Sequence, residues 1–153
     1  MLKVILYMIL FAILMSFHSC QKKANVEITN VVEEWINREI KFDDGYIFTR
    51  LGKDSVYNSI PTNKYKILVY TDSVGCVGCT LRLSQWMEWI TQIDSISENK
   101  VSFLFFIHPK DMRDLLLLLC SQNFDVPVCI DRNNSLYKLN RFPSNAMLQT
   151  FLL

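Results

Sequence analysis

Residues 64–83 read KYKILVYTDSVGCVGCTLRL and carry the clearest structural pattern in the chain. It opens with a short apolar run, Lys66–Tyr70, which is bounded by polar residues and is typical of a strand buried on both faces. A loop follows, and the motif CVGC at Cys76–Cys79 then leads into a helical pattern. A strand, a C-x-x-C loop and a helix in succession predict an α/β protein with its chemistry at the loop.

The alternation of strands and helices continues towards the C-terminus. Apolar residues at helical spacing cover 83–93 and 112–120, and the run VSFLFFI at 101–107 predicts a buried strand between them. Residues 126–130 predict a further strand, and 147–153 form a last apolar run. Such repeats predict a parallel sheet with right-handed crossovers, in which the reactive site lies beyond the carboxyl ends of the strands.

The residues before this core have weaker patterns. VEITNVVEEWINREI at 26–40 has helical periodicity, and 46–57 alternates loosely enough to hold one or two strands. We therefore divide the chain into a signal peptide at 1–19, a tether, helix and strand region at 20–63, and a core at 64–153.

The first 19 residues, MLKVILYMILFAILMSFHS, carry one lysine, no acid and an apolar run of signal-peptide length. The run is shorter than the ~20 residues that span a bilayer. Cys20 follows Ser19 directly and resembles the cysteine of a bacterial lipobox, although Phe17 and His18 stand where the consensus has leucine and a small residue. This predicts lipidation of Cys20, with ordinary secretion and an uncleaved anchor as the alternatives.

Length and charge exclude several classes of protein. A chain of 153 residues has room for one domain, and 50% hydrophobic with 20% charged residues excludes a disordered chain. The net charge of +1 provides no basic field for a phosphate backbone, so nucleic acid is not an expected partner. The signal predicts a place in the cell envelope, facing the periplasm, where disulfides persist.

The C-x-x-C pair carries the predicted chemistry. At a helix N-terminus the unsatisfied N–H groups and the helix dipole lower a thiol's pKa and favour the thiolate, so Cys76 is the candidate nucleophile. Cys79, one turn further in, is placed to resolve a mixed disulfide. A metal site completed by Cys120 and Cys129 has no familiar ligand spacing, and a structural 76–79 disulfide is the other alternative. A redox reaction of this cysteine pair needs neither a metal nor an organic cofactor.

Four segments carry a resemblance to a known family: residues 64–83, VSFLFFI at 101–107, DVPVCID at 125–131 and QTFLL at 149–153. They make the chain similar to the thioredoxin-like fold, and in particular to TlpA-type lipoproteins of bacterial envelopes, with Bacteroidetes proteins the most similar. The resemblance implies a central mixed sheet flanked by helices and thiol–disulfide exchange in the periplasm. It also implies a protein or small-molecule disulfide as substrate and a membrane thiol carrier as electron donor.

The sequence departs from the family pattern at several positions. Gly75 stands where the family has tryptophan, and Tyr70 stands where the family often has a buried acid. Asp72 is the nearest residue that could take the role of this acid, and a loop-capping aspartate is the alternative. Leu148 occupies the position of the family's cis-proline, and Pro143 lies five residues too early. The family also continues past TFLL with one more strand and a C-terminal helix, so we expect a truncated core without them.

Two other functions remain open from the sequence. One is a non-catalytic remnant or binding module that keeps the C-x-x-C pair, and the other is a soft-metal carrier, such as a copper carrier, using Cys76, Cys79 and His108. His108 ends a strand parallel to the one before Cys76, and a strand-end histidine without a role is its alternative. For Cys120 and Cys129 we expect inert packing in the core, with a 120–129 disulfide as the alternative.

Overall fold

A computed structural model of the chain describes residues 28–57, 59–72, 81–145 and 149–153. The chain divides into two compact units, of which the first ends at Glu39 and the second comprises Ile40–Leu153. In the first unit residues 28–35 are helical. The helix predicted over 26–40 ends earlier than expected, because Asn37 takes a left-handed conformation with φ 62° and closes it.

The second unit is built on one mixed sheet, as predicted. Its strands within the described residues are β1 (Phe48–Arg50), β2 (Asp54–Tyr57), β3 (Tyr65–Thr71), β4 (Val101–Ile107), β5 (Val128–Ile130) and β6 (Thr150–Leu152). Their order is β2-β1-β5-β4-β3-β6. The central strands β3, β4 and β5 are parallel, whereas β1 pairs antiparallel with β2 and β5, and β6 pairs antiparallel with β3.

Within the described part of the second unit, three helices flank the sheet, and two of them were predicted. They are α1 (Leu83–Ser97), α2 (Met112–Ser121) and α3 (Ser135–Asn140). Helix α1 connects β3 to β4 and α2 connects β4 to β5, so both crossovers pack on the same face of the sheet. Helix α3 packs on the other face, where Tyr137 stacks on Tyr70 of β3 at a ring distance of 6.0 Å.

The face under α1 and α2, which we call the α1/α2 face, holds the larger apolar core. Phe105, Leu115 and Leu119 are fully buried there, and Trp86 of α1 packs edge-to-face on Phe105 at 5.5 Å. Complete burial of side chains of this size stabilises the fold by about 1.5–3 kcal/mol each. The helix α2 starts where the Asp111 carboxylate accepts hydrogen bonds from the backbone N–H groups of Arg113 and Asp114.

The register of the central strands aligns their carboxyl ends. Thr71 at the end of β3 pairs with Ile107 at the end of β4, and Ile107 pairs with Ile130 at the end of β5. The predicted strand over 126–130 begins only at Val128, because Pro127 has no N–H to contribute to the ladder. The three parallel strands therefore stop at one common edge of the sheet.

Candidate active site

The carboxyl edge of the parallel strands is held together by backbone hydrogen bonds beyond the strands themselves. The N–H of His108 donates to the carbonyl of Thr71 at 2.8 Å, and the N–H of Asp131 donates to the carbonyl of Ile107 at 2.9 Å. Asp72, His108 and Asp131 follow the three strands directly, so these residues lie side by side along the edge. Residues 73–80, which include the C-x-x-C motif, follow Asp72 in the sequence.

The predicted nucleophile Cys76 and its partner Cys79 lie outside the described residues, and so does Cys20. The residue on the far side of the motif is described: Leu81 is 1% exposed and packs in the same core cluster as Val69 of β3. Arg82 then takes a left-handed conformation with φ 42°, and the regular helix α1 begins at Leu83. The described residues on the two sides of this segment, Asp72 and Leu81, therefore both lie beside β3.

His108 is fixed in one orientation at this edge. Its Nδ1 lies 2.8 Å from the backbone carbonyl oxygen of Asp131. A carbonyl oxygen only accepts, so Nδ1 of His108 is the donor in this contact. The sequence placed His108 at the end of a parallel strand, and the structure confirms that position. The contact with Asp131 was not predicted.

The carboxylate of Asp131 is buried, with 6% of the residue exposed. It accepts hydrogen bonds from the Ser135 hydroxyl at 2.9 Å and from the Leu136 N–H at 2.8 Å, and it thereby holds the first turn of α3. Two donors make burial of the charge tolerable. The sequence signal for this contact is an acid at a strand end, four residues before a serine.

Tyr70 occupies the position at which the resemblance has a buried acid. It is 2% exposed, and its hydroxyl donates to the Asn134 side-chain oxygen at 2.8 Å. Burial raises the pKa of the Tyr70 phenol well above its ordinary value, and the negative charge of Asp72 raises it further. Tyr70 is therefore a neutral hydrogen-bond donor at neutral pH, not a replacement for the missing base.

The two described cysteines are both free thiols, so the alternative of a 120–129 disulfide was wrong. Cys129 is 3% exposed, and burial, followed by the charge of Asp131, raises its pKa to about 12. The expectation of inert packing is confirmed for Cys129 and wrong for Cys120, which is exposed on α2. The buried arc of α2 centres on Leu115 and Leu119, and Cys120 falls outside it.

The metal site that would combine all four cysteines does not fit this geometry. Cys129 pairs in register with Phe48, whose ring packs on Phe106 on the α3 face, whereas Cys120 belongs to a helix on the opposite face. Within the ranges that the structure describes, no three histidine, cysteine or acidic side chains are grouped closely enough to hold a metal ion.

The comparisons with known proteins identify the fold. Neither a family model nor a curated protein matches the chain. The crystal structure of StoA from Bacillus subtilis matches with a TM-score of 0.53 and 17% identity, over 71% of this chain and 78% of StoA. This likeness, with the sheet order and the flanking helices, shows a thioredoxin-like fold.

Two further solved structures match with lower TM-scores. A secreted Mycobacterium tuberculosis disulfide oxidoreductase, described as homologous to E. coli DsbE, gives 0.46 and 12% identity over 71% of this chain and 82% of its own. A thioredoxin-like protein in its oxidised form gives a TM-score of 0.43 and 11% identity, over 74% of this chain and 80% of its own.

Among the described residues of our chain, no helix is both long and apolar enough to cross a membrane.

Proposed function

We propose that this protein is an extracytoplasmic thiol–disulfide oxidoreductase of the TlpA type, in which Cys76 is the attacking thiolate and Cys79 the resolving thiol. One observation carries the proposal. The two described residues that flank the C-x-x-C segment in the chain lie beside β3 of a thioredoxin-like sheet: Asp72 directly follows β3, where the parallel strands stop together, and Leu81 packs in the core with Val69. In open α/β sheets this edge is where reactive sites lie.

The reaction is a two-electron exchange. The Cys76 thiolate attacks one sulfur of a substrate disulfide and forms a mixed disulfide with it. The substrate S–S bond breaks, and the other substrate sulfur leaves as the first thiolate. The Cys79 thiolate then attacks the Cys76 sulfur and releases the second substrate thiolate. The substrate gains two electrons, the enzyme pair becomes a disulfide, and a membrane thiol carrier returns the two electrons. The reverse sequence oxidises a dithiol.

The proposed location is the periplasm-facing envelope of a bacterium of the Bacteroidetes kind. Residues 1–19 serve as a lipoprotein signal and Cys20 becomes the lipidated N-terminal residue. Expression with a labelled fatty acid tests this: the chain takes up label and sediments with membranes, and Cys20→Ala takes up none. Equal labelling of the two chains contradicts the assignment of Cys20.

A turnover assay tests the proposed activity. The full chain, purified in detergent, is mixed with a peptide that contains one disulfide, and dithiothreitol supplies electrons. We expect catalysed reduction of the peptide that is lost in Cys76→Ser. Cys120→Ser is the matched control, because it removes an exposed thiol outside the motif and keeps the rate. A Cys76→Ser rate equal to that of the wild type contradicts the proposal and leaves the non-catalytic binding module.

A further inference from the structure

We propose that the helix at 28–35 lies on the surface of a lipid bilayer, with the side chains of Ile28, Val32 and Ile36 inserted among the lipids. This contact is separate from the redox chemistry, and it rests on the membrane location proposed above for Cys20. The partner is a phospholipid surface that the helix binds through apolar contacts.

Three aliphatic side chains of this helix are exposed to solvent. Ile28 is 42% exposed, Val32 is 43% exposed and Ile36 is 59% exposed. They are spaced four residues apart, so they lie on one side of the helix, and the N–H of Ile36 still donates to the carbonyl of Val32 at 2.9 Å. We call these three residues the apolar stripe. A stripe of this kind is the side through which a helix meets an apolar partner.

The other side of the helix carries charges and stays in water. Glu33 and Glu34 are exposed there, and Glu34 forms an ion pair with Arg38 at 3.3 Å. The Arg38 guanidinium also lies 4.1 Å from the centre of the Trp35 ring, which is half-buried beside the stripe. Aliphatic residues on one side, charges on the other and a tryptophan between them are typical of helices that lie in the membrane interface.

The short distance along the chain to Cys20 favours lipid over other apolar partners. Residues 21–27 separate Cys20 from Ile28, and this length of chain spans at most about 29 Å when fully extended. A lipidated Cys20 therefore keeps the apolar stripe within this distance of the bilayer. An uncleaved apolar run at 4–15 would do the same. The bilayer is thus always within reach, whereas a second copy of the chain must first be met by diffusion.

Fluorescence quenching by brominated phospholipids tests the placement. The full chain is reconstituted into phosphatidylcholine vesicles with or without bromine on the acyl chains. Trp35 reports from the helix, and the Trp35→Phe chain supplies the background emission of Trp86 and Trp89. We expect brominated lipid to quench the Trp35 emission. The polar side carries two acids and one cation, so the quenching is expected to be the same at low and at high salt.

Two variants of the helix identify the side that inserts. The double substitution Val32→Gln with Ile36→Gln removes two members of the apolar stripe and introduces good helix formers at exposed positions. We expect it to abolish the quenching of Trp35. Glu33→Gln is the matched control, because it changes the polar side of the same helix, and its quenching should equal that of the wild type.

Fatty-acid labelling of Cys20 separates the ways in which the proposals can fail. A labelled chain that sediments with membranes but shows no quenching of Trp35 overturns the bilayer contact and leaves the proposed location standing. If the unquenched Trp35 emission also shifts to shorter wavelength as the protein-to-lipid ratio rises, a second copy of the chain occupies the stripe. Quenching that persists in the double variant overturns the role of the stripe. A chain that neither takes up label nor sediments contradicts the proposed location and the bilayer contact together.

Discussion

Both faces of the sheet are buried, but they are built from different sets of side chains. The α1/α2 face packs apolar side chains of α1 and α2, including the ring of Trp86, on β4, with Phe105 at its centre. The α3 face packs aromatic rings around Phe106 and also buries polar groups: Asp131 and Asn140 are 6% and 5% exposed. The α1/α2 face stabilises the fold by burying apolar surface. The hydrogen bonds of the α3 face also fix angles and distances between groups next to the candidate active site.

Two neighbouring residues of β4 allow the packing of each face to be disrupted separately. Phe105 points to the α1/α2 face and Phe106 to the α3 face, and both are fully buried. Phe105→Ala and Phe106→Ala each remove a ring from a close-packed core, so each is expected to lower the free energy of unfolding by about 3–5 kcal/mol. Urea denaturation of the full chain measures the loss. A loss below 1 kcal/mol for either variant would mean that its face is loosely packed.

Gly52 tests how tightly the β1–β2 turn packs against α2. It has φ +68°, and an added Cβ would overlap the Leu116 side chain, so Gly52→Ala combines backbone strain with overpacking. We expect a loss of about 2 kcal/mol. Gly45→Ala is the matched control, because Gly45 has φ +87° with open space around it and suffers the backbone strain alone. Equal losses in the two variants would show that Leu116 moves aside without cost.

The periodic spacing of apolar residues predicted most of the α1/α2 face and little of the α3 face. The runs at 66–70 and 101–107 and the spacing of Leu115 and Leu119 determine β3, β4 and α2, because burial on a sheet or a helix imposes a regular period. Helix α3 has six residues, too few for a period to appear, and its first turn is held by the carboxylate of Asp131. The antiparallel pairing of β1 with β5 joins distant segments that share no local signal.

For the candidate active site, the sequence predicts the motif and its place after β3, but it does not predict the contacts of the residues at the neighbouring strand ends. His108 and Asp131 meet through a side-chain nitrogen and a backbone carbonyl. A backbone acceptor is present at every residue, so no residue type reveals such a contact in advance. The roles of Cys76, Cys79 and Cys20 stay predictions.

Tyr70→Phe weakens the α3 face without changing its shape. The substitution removes the hydroxyl that donates to Asn134 at 2.8 Å and leaves the ring against Phe142 at 4.7 Å. We expect a loss of about 1 kcal/mol in the free energy of unfolding, the usual net value of one neutral hydrogen bond. Thermal denaturation of the two chains provides the comparison, and an unchanged midpoint would mean that the hydrogen bond contributes nothing.

High pH is expected to weaken the α3 face slightly. Cys129 has its pKa raised from 9.0 to about 12 by burial, so the unfolded chain loses this proton at lower pH than the folded one. The stabilisation is complete below pH 9 and declines as the pH rises towards 12; between pH 8 and 9.5 the loss is below about 1 kcal/mol. In Cys129→Ala the decline over this interval should be smaller. An equal decline would assign it to other groups.

The central claim is that Cys76 and Cys79 form a reversible redox pair on a thioredoxin-like fold, and a redox titration tests it most directly. The full chain is equilibrated across glutathione and dithiothreitol buffers, free thiols are alkylated, and peptide mapping identifies the linked cysteines. We predict one two-electron transition assigned to a 76–79 disulfide, absent in Cys76→Ser, with Cys120 alkylated throughout. A folded chain in which Cys76 and Cys79 stay unlinked at every potential would contradict the account.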